Sequence, residues 1–490
     1  MLPKTPEDNL GTLPRDQSSE RTPLLPESSN NYSAIRANPD DKGKPDQEGQ
    51  ASFSSCAINL ANTILGTGML AMPSAIASVG LIPGICLIVY SGLASGLGLY
   101  LLSLCARRTH PPRSASFFAC SQITWPHAGV FFDLAIAIKC FGVSISYLII
   151  IGDLMPEFMT SFFGISDEYM PVFVSRRFWI TLSMVAFIAP LSFLRRLDSL
   201  RYTSVIALFA VFYLSCIVIW HAVYPVNGVP EIPHPTVEYV SISTRFFTSL
   251  PVFVFAFTCH QNIFTVYNEL KDNAQVQINS VISTSIGSAT AIYEMIGVLG
   301  YLQFGKLVQP NIILEYPATL FVDGGRLAIV ILVLFSYPLQ AHPCRNSLDK
   351  VLSWRPHKPA PPHTRHHHHR RSSSHHDGSR SRSRSPKRQH SGQSTPTEPS
   401  PFKYVVMTTG ILAASYALAI TVTRLDLVLS FVGSTGSTII SFILPGLFYY
   451  KLHESDPWTW RKVVSVYLAT YGCLVMLVCL CFNVKRIVEG

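Results

Sequence analysis

The chain has 490 residues, of which 48% are hydrophobic and only 14% charged, with a mean hydropathy of +0.29. Soluble proteins carry about 25% charged residues, so an ordinary soluble enzyme or binding module is excluded and an integral membrane protein is expected. The net charge of +9 is local: residues 344–400 hold twelve of the 38 Lys and Arg and three of the 29 Asp and Glu, leaving 26 of each sign elsewhere, so it points to no nucleic-acid partner.

Residues 1–51 are polar and Pro-rich, with too little apolar surface to repay ordering, and are expected to form a disordered cytosolic tail. The tail has no apolar core of a cleavable signal peptide, so insertion is expected to use the first internal span. Within it, Glu20-Arg-Thr-Pro-Leu24-Leu25 resembles an acidic dileucine signal, read by adaptor proteins as an address for a vacuolar or lysosomal-type membrane.

At about 20 apolar residues per crossing, eleven spans are expected, near 53–76, 81–106, 129–162, 177–195, 201–224, 246–269, 276–303, 322–343, 402–423, 426–450 and 461–484. They group as 52–343 and 401–485, separated by 344–400. That segment is Pro-rich, then carries His366 to His369 and a Ser-Arg alternation, and is expected to be a flexible basic cytosolic loop. The Lys and Arg of alternate loops set the orientation. Arg107, Arg108, Arg113, Arg195, Arg196, Arg201, Lys451, Arg461, Lys462 and the 344–400 loop fall on one side. The N-terminus is therefore expected in the cytosol and the C-terminus in the lumen.

The eleven cysteines lie mostly inside apolar runs, such as Cys56, Cys140 and Cys479, which argues against a disulfide framework and a zinc site. No nucleophile–base constellation or cofactor motif is visible, so neither an enzyme nor a cofactor is expected.

Two spans are poor helices. Asn59-Leu-Ala-Asn-Thr-Ile-Leu-Gly-Thr-Gly-Met-Leu-Ala-Met-Pro73 places two Gly, two Asn and a Pro at membrane depth, and Pro251 to Asn262 places a Pro and a polar cluster in the sixth span. Gly costs about 1 kcal/mol and Pro about 3 kcal/mol in a helix interior, and freed backbone groups in lipid must find other partners. Interruptions in corresponding positions, the first and sixth, are the sign of an inverted-repeat transporter with its site at the repeat interface. Close small-residue packing is the rival explanation.

Asn59-Leu-Ala-Asn-Thr-Ile-Leu-Gly-Thr-Gly68, Tyr147-Leu-Ile-Ile-Ile-Gly-Asp153, Phe257-Thr-Cys-His260 with Tyr267-Asn-Glu-Leu270, and Gly300-Tyr-Leu-Gln-Phe-Gly305 resemble the signatures of the amino acid/auxin permease family. Within it the chain is most similar to fungal vacuolar amino acid transporters and to sodium-coupled neutral amino acid transporters. The resemblance implies an all-α membrane protein of the leucine-transporter type, an inverted 5+5 repeat plus one peripheral helix, moving an amino acid with a cation. It implies that Leu65, Gly66, Thr67 and Gly68 receive the substrate carboxylate and that Phe257, Thr258 and Cys259 receive its amine. It also makes Asn59, Asn62 and Ser336 candidate ligands of a sodium ion, the only metal site expected.

Lys139 and Glu294 lie about ten and eighteen residues into the third and seventh spans. Charged groups at such depth are costly and default to function. With a rise of 1.5 Å per residue, their depths differ by roughly 12 Å, which disfavours direct pairing. Glu294, Lys139 and His260 are therefore candidates for proton coupling, with a structural salt bridge or snorkelling as the alternative. The expected function is proton-coupled amino acid symport by alternating access, from the lumen to the cytosol if the lumen is acidic. The alternatives are sodium-coupled symport and an amino acid sensor that signals through the tail and loop without net flux.

Overall fold

The long apolar runs have no alternation at the strand period, and in a water-free surrounding a helix is the way such a run satisfies its own backbone. The computed structural model describes residues 49–165, 168–194, 203–224, 236–241, 243–353 and 400–489. Among these it is helical, with one isolated parallel bridge between Ala51 and Leu270. The dileucine-like Glu20, Leu24 and Leu25, the residues Arg195, Arg196 and Arg201, the His tract and the Ser-Arg run lie outside the described residues.

In chain order the main helices are α1 (Phe53–Ile64), α2 (Gly68–Val79), α3 (Leu81–Ala106), α4 (Phe117–Thr124), α5 (Gly129–Phe163), α6 (Arg176–Ser183), α7 (Thr203–Val223), α8 (Arg245–Ala256), α9 (Ile263–Glu269), α10 (Gln275–Phe304), α11 (Leu320–Ser353), α12 (Pro401–Thr421), α13 (Leu425–Val432), α14 (Leu444–Leu452) and α15 (Trp460–Val488). Nine helical stretches among the described residues are long and apolar enough to cross a membrane, or ten if α1 and α2 count as one bent crossing. The run expected at 177–195 is helical from Arg176 to Ser192 through a π-helical turn at Met184–Ile188, short for a crossing. The closely spaced ninth and tenth runs are separate helices, the latter continuing from α13 through π-helical turns into α14 as Leu425–Leu452.

The eighth run differs in extent. Its helix continues ten residues past the expected end, to Ser353. Arg345 anchors the extension, with Nη1 donating to Thr408 Oγ1 at 3.1 Å and to Ser192 O at 3.3 Å.

Two sets of contacts tie the ends of the broken elements. Near the start of α1, Ala51 N–H donates to Glu269 O at 2.8 Å and Lys271 N–H to Ala51 O at 3.0 Å. Arg113 covers the same corner: Nη1 donates to the carbonyls of Asn268 (2.9 Å) and Leu270 (2.8 Å), and Nη2 to that of Lys271 (3.0 Å). The Asn268 amide pairs with both backbone groups of Ala115. One guanidinium, with the Ala51 N–H, thus meets carbonyls that the end of α9 leaves open, while the Asn268 amide ties that end to Ala115.

At the opposite end, residues 236–241 lie across the turn between α2 and α3. Leu81 N–H donates to Glu238 O, Ile82 N–H to Tyr239 O and Ser241 N–H to Val79 O. Gly80 makes this possible: φ 93°, ψ 164° is a region nearly restricted to glycine. A methyl there would sit 2.7 Å from Ser241 N and 2.8 Å from Val240 Cα. Gly80→Ala should therefore destabilise the protein by about 2 kcal/mol or more, read as a lowered midpoint of thermal unfolding. Lys306 forms an ion pair with Glu238 on the same segment, and its hydrogen bonding holds the Glu238 carboxyl below the ordinary carboxylate value. The sign follows: this attachment is complete above the ordinary value and is lost as pH falls through the lowered one. The protection of amides in 236–241, that is, exchange corrected for its intrinsic pH dependence, should thus fall on acidification, and less so in Lys306→Gln.

Candidate functional site

α1 ends because Leu65 adopts φ −72°, ψ 72°, the geometry of an inverse γ-turn. Gly66 N–H closes that turn on Ile64 O at 2.8 Å. α2 then starts at Gly68, and the two helix axes differ by 51°. The second interruption follows α8: Phe257 (φ −91°, ψ 9°) and Cys259 (φ −128°, ψ 9°) leave the helical path before a short 3₁₀ turn, His260–Asn262, leads into α9. Pro251 lies six residues upstream inside α8, so the polar run after it makes this break.

The two breaks are joined by a residue that the sequence reading passed over. Tyr293, fully buried on α10, has its hydroxyl 2.5 Å from Ile64 O and 3.0 Å from Ala256 O, the final residues of α1 and α8. One phenolic hydroxyl thus reaches both helix ends, meeting Ala256 O and adding to the Gly66 N–H already on Ile64 O. Ser95 on α3 secures the second break from behind: its Oγ donates to Phe257 O at 2.8 Å, and its carbonyl accepts from His260 Nε2 at 3.1 Å. Asn262 Nδ2 donates to Thr63 Oγ1 at 2.7 Å, linking α1 to the 3₁₀ turn. On the far side of the breaks α2 and α8 meet at Gly68, where a methyl would lie 3.0 Å from Ala256 Cα and Cβ.

Beside the first break is a cavity of about 220 Å³, smaller than the roughly 300–1,000 Å³ of drug-sized pockets. Its wall brings together Asn59, Asn62, Leu65, Gly66 and Thr67 with Ser336, the last on the α11 face that also presents Gln340. Tyr147 on α5 completes the wall beside Gln340 and Ser336. Among the described residues, no charged side chain lines the cavity. Thr67 Oγ1, Gln261 Oε1 and Gln340 Oε1 are buried without hydrogen-bond partners; such polar atoms call for an explanation, and a polar ligand is one.

The other expected site residues lie elsewhere. Phe257, Thr258, Cys259 and His260 are buried behind the cavity wall, at most 2% exposed, and Gly68 serves the helix contact described above. Lys139, on α5, is buried with Cys140, Cys259 and His260 as its titratable neighbours. Glu294, next to Tyr293, is half-buried with Oε1 lacking a partner. Among the described ion pairs neither joins the other, as their difference in depth suggested. Among the described residues searched, no cluster of three His, Cys, Asp or Glu could hold a metal ion, while the neutral oxygens of Asn59, Asn62 and Ser336 do share one cavity.

The residues missed were Tyr293, Thr63, Gln261 and Gln340. A signal existed for two of them: Gln340 follows Ser336, and Thr63 follows Asn59, at the four-residue spacing that stacks side chains on one helix face. Nothing local marks Tyr293, whose role depends on two segments far away in sequence.

Comparison with known proteins agrees with this architecture. A family model described as "Transmembrane amino acid transporter protein" matches residues 49–485. "Vacuolar amino acid transporter 5" of Schizosaccharomyces pombe is 42% identical over 453 residues, covering 90% of this chain and 96% of that protein. "Vacuolar amino acid transporter 6" of Saccharomyces cerevisiae is 36% identical over 451 residues, covering 89% and 99%. "Sodium-coupled neutral amino acid transporter 7" of Rattus norvegicus is 26% identical over 446 residues, covering 88% of each. Among solved structures, that of MhsT in complex with L-phenylalanine shares the fold, with a TM-score of 0.52 at 11% identity, covering 89% of this chain and all of MhsT. A family of transporters, and not of enzymes, is what the sequence led us to expect. The chain belongs to the transmembrane amino acid transporter family.

Proposed function

We propose that this protein is a secondary active transporter that moves amino acids across a vacuolar membrane, from lumen to cytosol, by proton-coupled symport. The observation that carries the reading is the uncharged cavity set against an interrupted helix. A zwitterion there meets helix-end dipoles and amides in place of charged side chains, and the N-terminus of a helix offers about half a positive charge. The carboxylate is assigned to Leu65, Gly66, Thr67 and Gly68 at the start of α2. The amine is assigned to the carbonyls around Phe257, Thr258 and Cys259, with Gln261 Oε1 as an acceptor already on the wall.

In this reading α1 with α2, and α8 with α9, are the broken first and sixth of eleven spans arranged as a 5+5 repeat with α15 peripheral, and the N-terminus is cytosolic. The cavity wall uses α1, the turn before α9 and the middle of α11, which supports reading this conformer as one whose site faces the cytosol. Rocking about the breaks would open the other side. Glu294, with Lys139 and His260, is assigned to the proton, since each is an ionisable group buried among spans. Sodium coupling through Asn59, Asn62 and Ser336 is the second reading, favoured by their shared cavity.

The decisive assay uses proteoliposomes with an imposed pH or sodium gradient and a panel of labelled amino acids. The pH gradient alone should drive accumulation; uptake that persists with the pH gradient collapsed and follows sodium would assign Asn59, Asn62 and Ser336 in its place. Glu294→Gln should lose proton-driven accumulation while retaining exchange, and full proton dependence in that variant would remove Glu294 from the mechanism. Tyr293→Phe leaves Ala256 O without its donor and Ile64 O with the Gly66 N–H alone, a loss of about 1–3 kcal/mol. It should lower uptake by about tenfold or more at unchanged protein level and localisation.

A further inference from the structure

A basic groove lies on the side of the protein where α1 begins, far from the substrate cavity. It runs between the end of α3, the end of α14 and the start of α15, and consists of two adjoining hollows of about 280 and 360 Å³. Arg108, Tyr449, His453 and Arg461 line both hollows, which makes them one groove; Arg107 sits at one end and Lys462 at the other.

Three guanidiniums face one lining carboxylate, that of Asp456, whose contact with Arg108 is long (3.8 Å) and exposed on both sides. Lys462 is spent on the scaffold: its ammonium donates to the carbonyls of Glu454 (3.0 Å) and Asp456 (2.9 Å) and so fixes the loop before α15. Arg461 is positioned by aromatic rings, 5.9 Å from the Tyr100 centroid and 5.6 Å from that of Trp460, and those two rings stack at 6.1 Å. Planar guanidiniums held in place suit the oxygens of a phosphate.

The surroundings say what carries that phosphate. Trp458 and Trp460 flank the groove, 67% and 57% exposed, and exposed tryptophans beside a spanning helix mark the headgroup level of a bilayer. Past them α15 presents Val463, Tyr467, Leu474 and Leu477, all exposed, at spacings that form one apolar stripe. A free anion needs neither feature, whereas a lipid uses both: charge for its headgroup and a track for its chains.

We propose that this groove binds the phosphate of an anionic phospholipid headgroup, with the acyl chains along α15. Basic pockets between spans on the cytosolic side are a known physical solution to headgroup recognition, and the loops that form this one are those whose Lys and Arg set the expected cytosolic side. The site is separate from substrate binding and does not depend on which ion drives transport.

The test uses the full chain in detergent micelles, with binding of dioctanoyl phosphatidylinositol 4-phosphate measured by native mass spectrometry against phosphatidylcholine and inorganic phosphate. The anionic lipid should bind selectively, and the double variant Arg107→Gln, Arg108→Gln should weaken it by about thirtyfold, at about fivefold per arginine. Arg461→Lys, which keeps the charge and loses the planar fork, should weaken it by a few fold and serves if the double variant does not fold. Unchanged affinity in these variants, equal binding of phosphatidylcholine, or full displacement by equimolar inorganic phosphate would each overturn the proposal, the last by showing a site for a free anion.

Discussion

Where two helices stop in the middle of this molecule, one hydroxyl group reaches the last carbonyl of each. A helix broken inside a membrane leaves carbonyls that water cannot reach, each costly to leave unmet. Tyr293 meets this constraint for both breaks at once, its hydroxyl set between Ile64 O and Ala256 O. The breaks therefore depend on a third helix, α10, and on each other. Ser95 and His260 apply the same logic to the second break from the side of α3.

The contacts around the breaks fall into two groups. On the tail side, α1 is tied to the segment after the second break by Asn262 with Thr63 and by the Ala51–Leu270 bridge, and Arg113 closes that corner. On the other side α2 and α8 are pressed together at Gly68, where a methyl would lie 3.0 Å from Ala256 Cα and Cβ. The breaks lie between these two pairs, and the cavity opens at them. In the proposed transport cycle, a ligand held at the breaks would act directly on the point about which the helices rock, which is the differential interaction that a conformational change requires.

Much of this was legible in the sequence. The composition identified a membrane protein, the apolar runs located the nine or ten helical stretches long enough to cross though not the eleven expected, and the misfit of Asn59 to Pro73 with its helix pointed to the cavity. Asn59, Asn62, Leu65, Gly66, Thr67 and Ser336 do meet on one wall. The limits are equally physical. Helix-breaking potential says where a helix stops and nothing about what satisfies its ends, so Tyr293 and Ser95 were invisible. Pro251 attracted attention as the strongest helix breaker yet sits within α8, because the removal of one hydrogen bond is tolerated when neighbouring helices pack closely. Phe257, Thr258 and Cys259 belong to the break but lie behind the wall, a distinction of orientation that linear order does not encode.

The central claim is that an amino acid occupies the cavity beside the first break. Gly66 is the position from which to test it, since it lines the cavity and a methyl there would have only Ile64 O, at 4.0 Å, within reach. The measurement is the rate of alkylation at position 66 in a transport-competent Gly66→Cys variant, resolved by peptide mass spectrometry so that the native cysteines are read separately. The account predicts that a transported amino acid slows alkylation at position 66 by about tenfold, the protection expected near 90% occupancy, while exposed Cys86 on α3 reacts at an unchanged rate. Undiminished alkylation at position 66 under conditions of saturated transport would contradict it.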